Sequence, residues 1–231
     1  SIDNVVLKGG LSLIAAAGKD PNDASMPTND DYTGMQISDV KFDTDTTVDI
    51  VTRDSGNIEF DNVTGDSVGD VYAGGDFEAE NGELTLGSIY GYKNVKLENA
   101  NYIIKNSIYA NSGFKSEGGD VKVSTAPADE YPGIYSASDL TFNNGRVFGY
   151  VLAGGKLNIG SGASVDRDAL AGGNFVKSAS NRKYSISGTV LGAKIQTGSS
   201  SGFDFDKFKE LNEIWRKGVL FCNKGGFDGV A

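Results

Sequence analysis

The sequence of 231 residues contains no histidine, a single cysteine and only four prolines. Without histidine, the chain cannot form a Ser-His-Asp or Cys-His catalytic arrangement, a histidine-ligated zinc site or a histidine proton shuttle. Cys222 has no partner for an intrachain disulfide, and one thiol cannot make a four-thiolate metal site. Most familiar hydrolase mechanisms and these cysteine-based sites are therefore excluded.

Basic residues are also scarce, with 21 against 31 acidic ones and a formal net charge of −10. No run of Lys or Arg interrupts this excess, so we expect no nucleic acid and no anionic membrane as a partner. No stretch approaches about 18 apolar residues, and the start at Ser1 lacks signal-peptide features. Contact with a membrane would need an N-terminal hydrophobic helix that this sequence does not contain.

Glycine, in contrast, is abundant, with 32 residues, about twice the usual share of ~7 %. An apolar content of 39 % is enough to bury a core, so wholesale disorder is excluded. The composition predicts one domain of extended shape with small additions.

A short pattern recurs seven times along the chain. It consists of Ile or Val, then Tyr or Leu, then a small residue, with an apolar residue about six positions after the first. The copies are spaced by 18, 19, 26, 17, 18 and 21 residues, which is too short for a helix pair and suits two or three short strands. They begin at Val71, Ile89, Ile108, Ile134, Val151, Ala169 and Val190.

This period predicts an all-β fold, a right-handed parallel β-helix or solenoid with coils of about 18 residues, over residues 1–200. Apolar pairs between the copies, such as Leu84 with Leu86 and Ile103 with Ile104, predict a third side for each coil. Glycine pairs recur at the predicted corners, where positive φ lets the chain turn between faces. These pairs are residues 74–75, 154–155 and 172–173.

The prolines mark the predicted insertions, because a strand paired on both edges needs its backbone N–H groups for hydrogen bonds and proline has none. Pro21 and Pro27 fall in a predicted loop near residues 19–36. Pro127 and Pro132 fall in a second predicted loop near residues 124–133. Both segments are expected to leave the stack of coils.

The period changes after the Gly/Ser stretch of residues 198–202. From there on, apolar residues recur on one face of a predicted helix, which Asp204 or Asp206 can cap and Gly218 ends. We therefore predict a C-terminal capping helix and tail over residues 201–231 that cover the last coil. The apolar residues of this helix are Phe205, Phe208, Leu211, Ile214 and Trp215.

Four tyrosines occupy the same position of the repeat and are predicted to stack in a column. Strand alternation turns them outward if their neighbours point inward, which would give an exposed aromatic strip for a glycan or a protein partner. The alternative is that a loop or the capping helix covers the strip, because leucines 152, 170 and 191 continue it. The candidate partner-binding residues are Tyr72, Tyr90, Tyr109 and Tyr135.

Other candidate sites are weaker, and we expect no catalytic residue, no metal and no cofactor. An acidic stretch of residues 20–31 carries the oxygen ligands that calcium takes, but its spacing matches no calcium loop. Asp166, Arg167 and Asp168 are consecutive, so their side chains diverge on a strand and favour a charged corner over a catalytic site. No glycine pair continues into a phosphate-binding loop.

Residues 69–75 (Gly-Asp-Val-Tyr-Ala-Gly-Gly) and 150–159 (Tyr-Val-Leu-Ala-Gly-Gly-Lys-Leu-Asn-Ile) resemble coils of β-solenoid surface proteins of Gram-positive bacteria. Among these, the chain is similar to type IV minor pilins or pilus-assembly proteins, in which a hydrophobic N-terminal helix carries a short-coil solenoid head. Residues 5–10 and 203–208 look like that layout, although the hydrophobic helix is missing. The resemblance implies a non-enzymatic, exported head that contacts other pilins and carries no catalytic residues.

The sequence thus favours an extracellular, non-enzymatic structural or adhesive module of the cell surface, the exposed head of a minor pilin-like subunit. Its expected partners are other pilin or surface-protein subunits and a glycan or host-surface receptor. The alternative is a carbohydrate-active β-helix protein, similar to polysaccharide lyases or hydrolases, or a carbohydrate-binding one. A third hypothesis, a polymer-forming cytoskeletal solenoid, is disfavoured by the capping helix and the irregular insertion.

Overall fold

The computed structural model describes residues 2–3, 6–7, 13–15, 34–43, 49–52, 56–66, 68–124, 132–177, 185–186 and 190–195. These residues form an all-β solenoid of parallel strands, which confirms the predicted fold class. The predicted capping helix and tail, the acidic stretch of residues 20–31 and Cys222 lie outside the described residues.

The described residues form 24 short strands. They are β1 (Ile2–Asp3), β2 (Val6–Leu7), β3 (Leu13–Ala15), β4 (Gly34–Ser38), β5 (Lys41–Phe42), β6 (Ile50–Thr52), β7 (Asn57–Asp61), β8 (Thr64–Gly65), β9 (Val71–Ala73), β10 (Phe77–Glu80), β11 (Glu83–Leu86), β12 (Ile89–Gly91), β13 (Val95–Glu98), β14 (Asn101–Ile104), β15 (Ile108–Ala110), β16 (Phe114–Glu117), β17 (Val121–Val123), β18 (Pro132–Ser136), β19 (Leu140–Val147), β20 (Tyr150–Ala153), β21 (Leu157–Val165), β22 (Ala169–Lys177), β23 (Ser185–Ile186) and β24 (Val190–Ile195).

The strands stack into three faces, and each coil contributes one stretch of strand to each face. Face A contains β1, β4, β7, β10, β13, β16, the starts of β19 and β21, and the ends of β22 and β24. Face B contains β2, β5, β8, β11, β14, β17, the ends of β19 and β21, and β23. Face C contains β3, β6, β9, β12, β15, β18, β20, and the starts of β22 and β24.

Equivalent residues of successive coils pair directly, and this confirms the predicted period. Ile89 pairs with Val71 and with Ile108, which are 18 and 19 residues away. The longer segment before Ile134 leaves this register intact, because Ile108 pairs with Ile134. On face C, the insertion is therefore followed by a local irregularity between Pro132 and Ile134 in the pairing with β20, while the pairing from Ile134 onward stays in register.

The core fills the centre of the solenoid because side chains alternate in and out along each strand. On β10, Phe77 and Ala79 are buried, while Glu78 and Glu80 are exposed. Stacking then places core side chains of adjacent coils in contact, as with the rings of Phe60 and Phe77, whose centroids are 5.2 Å apart. One continuous apolar core runs from Ile37 to Ala171.

The prediction of positive φ at the three glycine pairs is wrong. Among the described residues, the left-handed conformation recurs instead at the corner between faces A and B, for example at Asn81 (φ 59°) and Gly118 (φ 67°). Asparagine and aspartate tolerate this conformation better than most residues with a side chain. The corner positions are Asp39, Asn62, Asn81, Asn99 and Gly118.

Two glycines of these pairs, Gly155 and Gly172, are needed for a different reason, the close approach of neighbouring coils. A Cβ atom on Gly172 would collide with the carbonyl oxygen of Gly154 in the coil below. A Cβ atom on Gly155 would likewise collide with the carboxylate of Asp139. Gly155 and Gly172 are therefore fixed by contact between coils and not by backbone conformation.

Two further predictions are corrected. Pro132 does not lie in a loop; it is the buried first residue of β18, a position where a strand tolerates the missing N–H. On β14, Tyr102 and Ile104 point inward, while Ile103 is 45 % exposed, so the pair predicted for the third side is wrong. Two consecutive strand residues cannot both face the core, so the inward partner of Ile104 is Tyr102 and not Ile103.

The hydroxyl of Tyr102 is buried without a hydrogen-bond partner among the described residues. An unpaired buried polar group costs about 1–3 kcal/mol, so Tyr102→Phe should raise the free energy of unfolding by about 1 kcal/mol. Tyr102→Ala should lower the free energy of unfolding by about 3–5 kcal/mol, because it leaves a cavity in the core. Urea unfolding followed by circular dichroism measures both, and a Tyr102→Phe variant less stable than wild type would contradict this account.

Candidate partner-binding face

Face C places one side chain per coil on the outside of the solenoid. Its middle strands are short, so the first and third residues, such as Val71 and Ala73, fill the core and the middle one points outward. The parallel register aligns these middle residues into one column, here called the outer column. It contains Val51, Tyr72, Tyr90, Tyr109, Tyr135, Leu152 and Leu170.

The predicted stacking of the four tyrosines is confirmed. The rings of Tyr72 and Tyr90 are stacked with centroids 4.6 Å apart and an interplanar angle of 16°. Tyr90 and Tyr109 are stacked at 5.4 Å and 15°, whereas Tyr109 and Tyr135 are tilted by 41° at 6.2 Å. The rings therefore cover one another along the solenoid axis and turn mainly their edges outward.

This arrangement decides which kind of partner the tyrosines suit. A sugar ring binds an aromatic side chain by lying against the open face of the ring. In the stacked part of the outer column, the face of each ring is occupied by the ring of the next coil. The ring edges and hydroxyl groups suit a protein surface better, because they combine apolar contact with hydrogen bonding.

Burial varies strongly along the outer column. Tyr72 and Tyr90 are half-buried, whereas Tyr109 is 4 % and Tyr135 is 2 % exposed. The prediction of an exposed strip is therefore wrong for Tyr109 and Tyr135, and their burial favours the alternative of a covered strip. Val51, at the other end of the outer column, is also buried, at 2 % exposed. None of the four tyrosines is without a further interaction, since each takes part in contacts besides the ring pairs within the column.

The corner before face C fixes the lower end of the outer column. Asp70 Oδ1 accepts a hydrogen bond of 2.6 Å from the backbone N–H of Ser88 in the next coil. Asp49 Oδ1 accepts a hydrogen bond of 2.8 Å from the N–H of Asp70 itself. The second oxygen of Asp70, Oδ2, accepts a hydrogen bond of 3.1 Å from the hydroxyl of Tyr72. The carboxylate of Asp70 thus links two coils and orients the first tyrosine ring.

Burial and charge both act on the phenol groups of this column. Burial, then the neighbouring charge of Asp70, raises the pKa of Tyr72 well above its usual value. Burial also raises the pKa of Tyr90, against the opposing effect of its hydrogen bond with Ser88. Both phenol groups therefore stay neutral to a higher pH than a solvent-exposed tyrosine does.

The outward columns of the other two faces are mainly polar, although Ile103 lies exposed in the column of face B. On face A, the stack of Asp61, Glu80, Glu98 and Glu117 is balanced in part by the Lys96–Glu98 and Lys115–Glu117 ion pairs, at 3.2 and 2.9 Å. On face B, the outward column includes the cations Lys122 and Arg146 in adjacent coils. The apolar outer column of face C is therefore distinct from the surface around it.

The consecutive residues Asp166, Arg167 and Asp168 do not converge on one site. Asp166 binds the guanidinium group of Arg146 in the coil below, with the shortest contact at 2.8 Å. Asp168 is buried, while Arg167 is exposed. This supports the charged corner over the catalytic interpretation, because the three side chains have different surroundings.

Within the described part of the chain, no group of three or more acidic or thiol side chains is arranged to hold a metal ion. The same residues contain no helix that is long and apolar enough to cross a membrane. No family model, curated protein or solved structure matches this chain.

The raised phenol pKa values predict how stability depends on pH. In the unfolded chain, tyrosines ionise near pH ~10, while the folded state keeps Tyr90 neutral to higher pH. Its stabilising contribution is therefore complete below pH ~10 and is lost as the pH rises above it. Tyr90→Phe should make the fall in unfolding free energy above pH ~10 less steep, by at most about 1.4 kcal/mol per pH unit.

Urea unfolding at several pH values between about 8 and 11 measures this slope. Tyr90→Phe at neutral pH is the control. There the phenol is protonated in both states, so any difference in unfolding free energy from wild type comes from the lost hydroxyl contacts alone. An unchanged slope in Tyr90→Phe would show that the folded and unfolded states ionise this tyrosine equally.

Proposed function

We propose that this protein is a non-enzymatic structural or adhesive module of the cell surface, the exposed head of a minor pilin-like subunit. The observation that carries the proposal is the stacked pair of Tyr72 and Tyr90, which stays half-exposed on one face of a regular solenoid while Tyr109 and Tyr135 of the same column are buried. An apolar strip with polar surroundings is typical of a surface that contacts another protein.

The solenoid suits such a role because its stack of coils is stiff. Each described coil hydrogen-bonds to the next on all three faces, so residues far apart in sequence keep fixed distances along the axis. A partner therefore meets a rigid surface that needs little ordering when it binds, which favours affinity.

The part of the outer column proposed to contact a partner is the half-buried pair of Tyr72 and Tyr90. Tyr72 and Tyr90 carry accessible ring edges and lie next to the carboxylate of Asp70. Tyrosine is enriched in protein interfaces because its ring is large and rigid and its hydroxyl group hydrogen-bonds. The proposed partners are other pilin or surface-protein subunits, in line with the resemblance of residues 69–75 and 150–159 to surface solenoids.

A double variant tests this proposal in the full-length protein expressed in its own organism. Tyr72→Ser with Tyr90→Ser should reduce the amount of protein in isolated surface fibres by about tenfold or more, as expected when interface tyrosines are removed. Quantitative immunoblotting of the fibre fraction gives the measurement. Circular dichroism of the purified variant shows whether the solenoid remains folded.

The matched control is Tyr92→Ser, because Tyr92 is 50 % exposed and lies outside the outer column. This variant should enter fibres as wild type does. Absence of the wild-type protein from any surface fibre would overturn the pilin-like assignment. Hydrolysis or β-elimination of acidic polysaccharides by the purified protein would instead establish the carbohydrate-active alternative.

A further inference from the structure

Face B carries a patch in which exposed apolar side chains lie among cations. Ile103 and Phe148 are two of the three large hydrophobic residues that are exposed in the described part of the chain. Lys105, Lys122 and Arg146 lie beside them and are also exposed. These five residues are here called the cationic patch. Large apolar side chains together with arginine on an open surface are typical of a protein interface.

The parallel register fixes the geometry of this patch. Ile103 pairs with Lys122, and Lys122 pairs with Arg146, so these three residues form one outward column. A second outward column lies two residues further along the strands and contains Lys105 and Phe148. Neighbouring positions are therefore about 4.8 Å apart along the solenoid axis and about 6.6 Å apart across it.

The cations of the patch keep donors that a partner can use. Lys105 forms no ion pair with any of the described residues. Arg146 binds Asp166 through Nε and Nη2, so this pair does not use the donors of Nη1. The same guanidinium group lies 4.3 Å from the ring centroid of Phe148, a contact that orders both side chains. The patch thus presents fixed donors next to an apolar surface.

Face A of the same molecule presents the complementary charge. Glu59 pairs with Glu78, and Asp61 pairs with Glu80, so four exposed carboxylates form a grid with the same two spacings. This grid is here called the acidic patch. Glu59, Glu78 and Glu80 have no ion pair within the described ranges, and Lys96, which follows Glu78 in its column, has its own carboxylate partner. Stacked like charges repel, so a cationic partner would stabilise them.

We propose that the cationic patch of one copy of this chain binds the acidic patch of a second copy, so that solenoids associate side by side with their axes aligned. Both patches are built on the same coil repeat, so their charges match in spacing over successive coils. The patches lie on different faces, so one copy can contact two neighbours at once, which gives an open row and not a closed dimer. This inference does not rest on the proposed function.

Charge also sets the conditions under which this contact forms. The net charge of −10 repels two copies at long range, whereas the patches attract one another only near contact. Salt at about 0.1 M shortens the Debye length to about 10 Å and screens much of the long-range repulsion. At about 1 M, the Debye length is about 3 Å and exposed ion pairs are screened as well. We therefore expect self-association at about 0.1 M salt that is severalfold weaker at about 1 M.

Charge reversal tests the contact by sedimentation velocity. A cation-reversed variant carries Lys105→Glu and Lys122→Glu, and an acid-reversed variant carries Glu59→Lys and Glu80→Lys. Each variant alone should lose self-association by about tenfold or more, because its two patches then have the same sign. An equimolar mixture of the two variants should recover it, since every patch again meets the opposite charge.

The matched control is Lys93→Glu with Lys156→Glu. It changes the net charge as much as the cation-reversed variant does, at exposed corner positions between faces C and A, and should associate as wild type does. Tyr72→Ser with Tyr90→Ser should also associate as wild type does, because the outer column is on face C. Circular dichroism shows whether each variant is folded. Lys105→Glu alone removes no described ion pair and should still weaken association severalfold.

Four results would overturn the proposal. The first is a wild-type protein that stays monomeric at millimolar concentration in moderate salt. The second is self-association that persists in the folded reversed variants, and the third is a mixture of them that stays monomeric. The fourth is loss of association in the Tyr72→Ser, Tyr90→Ser variant, which would place the contact between copies on face C. Association recovered only in the mixture of reversed variants would establish the contact between faces A and B.

Discussion

Parallel pairing between equivalent residues of successive coils is the constraint on which the rest of this structure depends. Each strand satisfies its backbone N–H and C=O groups in the coils above and below, about 18 residues away in sequence. Because every coil repeats this pairing, any residue type that recurs at the same position of the repeat becomes a continuous column. The core, the charged stacks and the tyrosine stack all arise in this way.

The same constraint separates the chemistry of the three faces. Face A carries stacked carboxylates that cost stability unless cations lie beside them, as Lys96 and Lys115 do. Face C carries tyrosine rings that stack favourably at about the spacing of the coils. The corners use short polar side chains, such as Asp70, whose oxygens accept backbone N–H groups from the next coil. The regular backbone thus gives each face its own kind of surface, because the residue types that recur at one position of the repeat are stacked together.

Much of the fold was predictable because a period of about 18 residues with strand alternation suits few architectures. The errors were local. Positive φ was expected at the glycine pairs, whereas Asn81 and Gly118 adopt it and the pair at Gly155 is required by a neighbouring side chain. Pro132 was expected in a loop, but it is the first residue of β18, a position where a strand tolerates the missing N–H. These details depend on which coil lies next to which residue, and local patterns do not contain that information.

The sequence by itself determined the period, and therefore that Tyr72, Tyr90, Tyr109 and Tyr135 form one column, because register follows directly from equal spacing. It could not determine how deeply each tyrosine is buried. Tyr72 and Tyr109 have nearly the same neighbours, Val-Tyr-Ala and Ile-Tyr-Ala, yet one is half-buried and the other is 4 % exposed. Only the tertiary structure decides this difference, since the burial of an outward side chain depends on what packs over it from elsewhere in the chain.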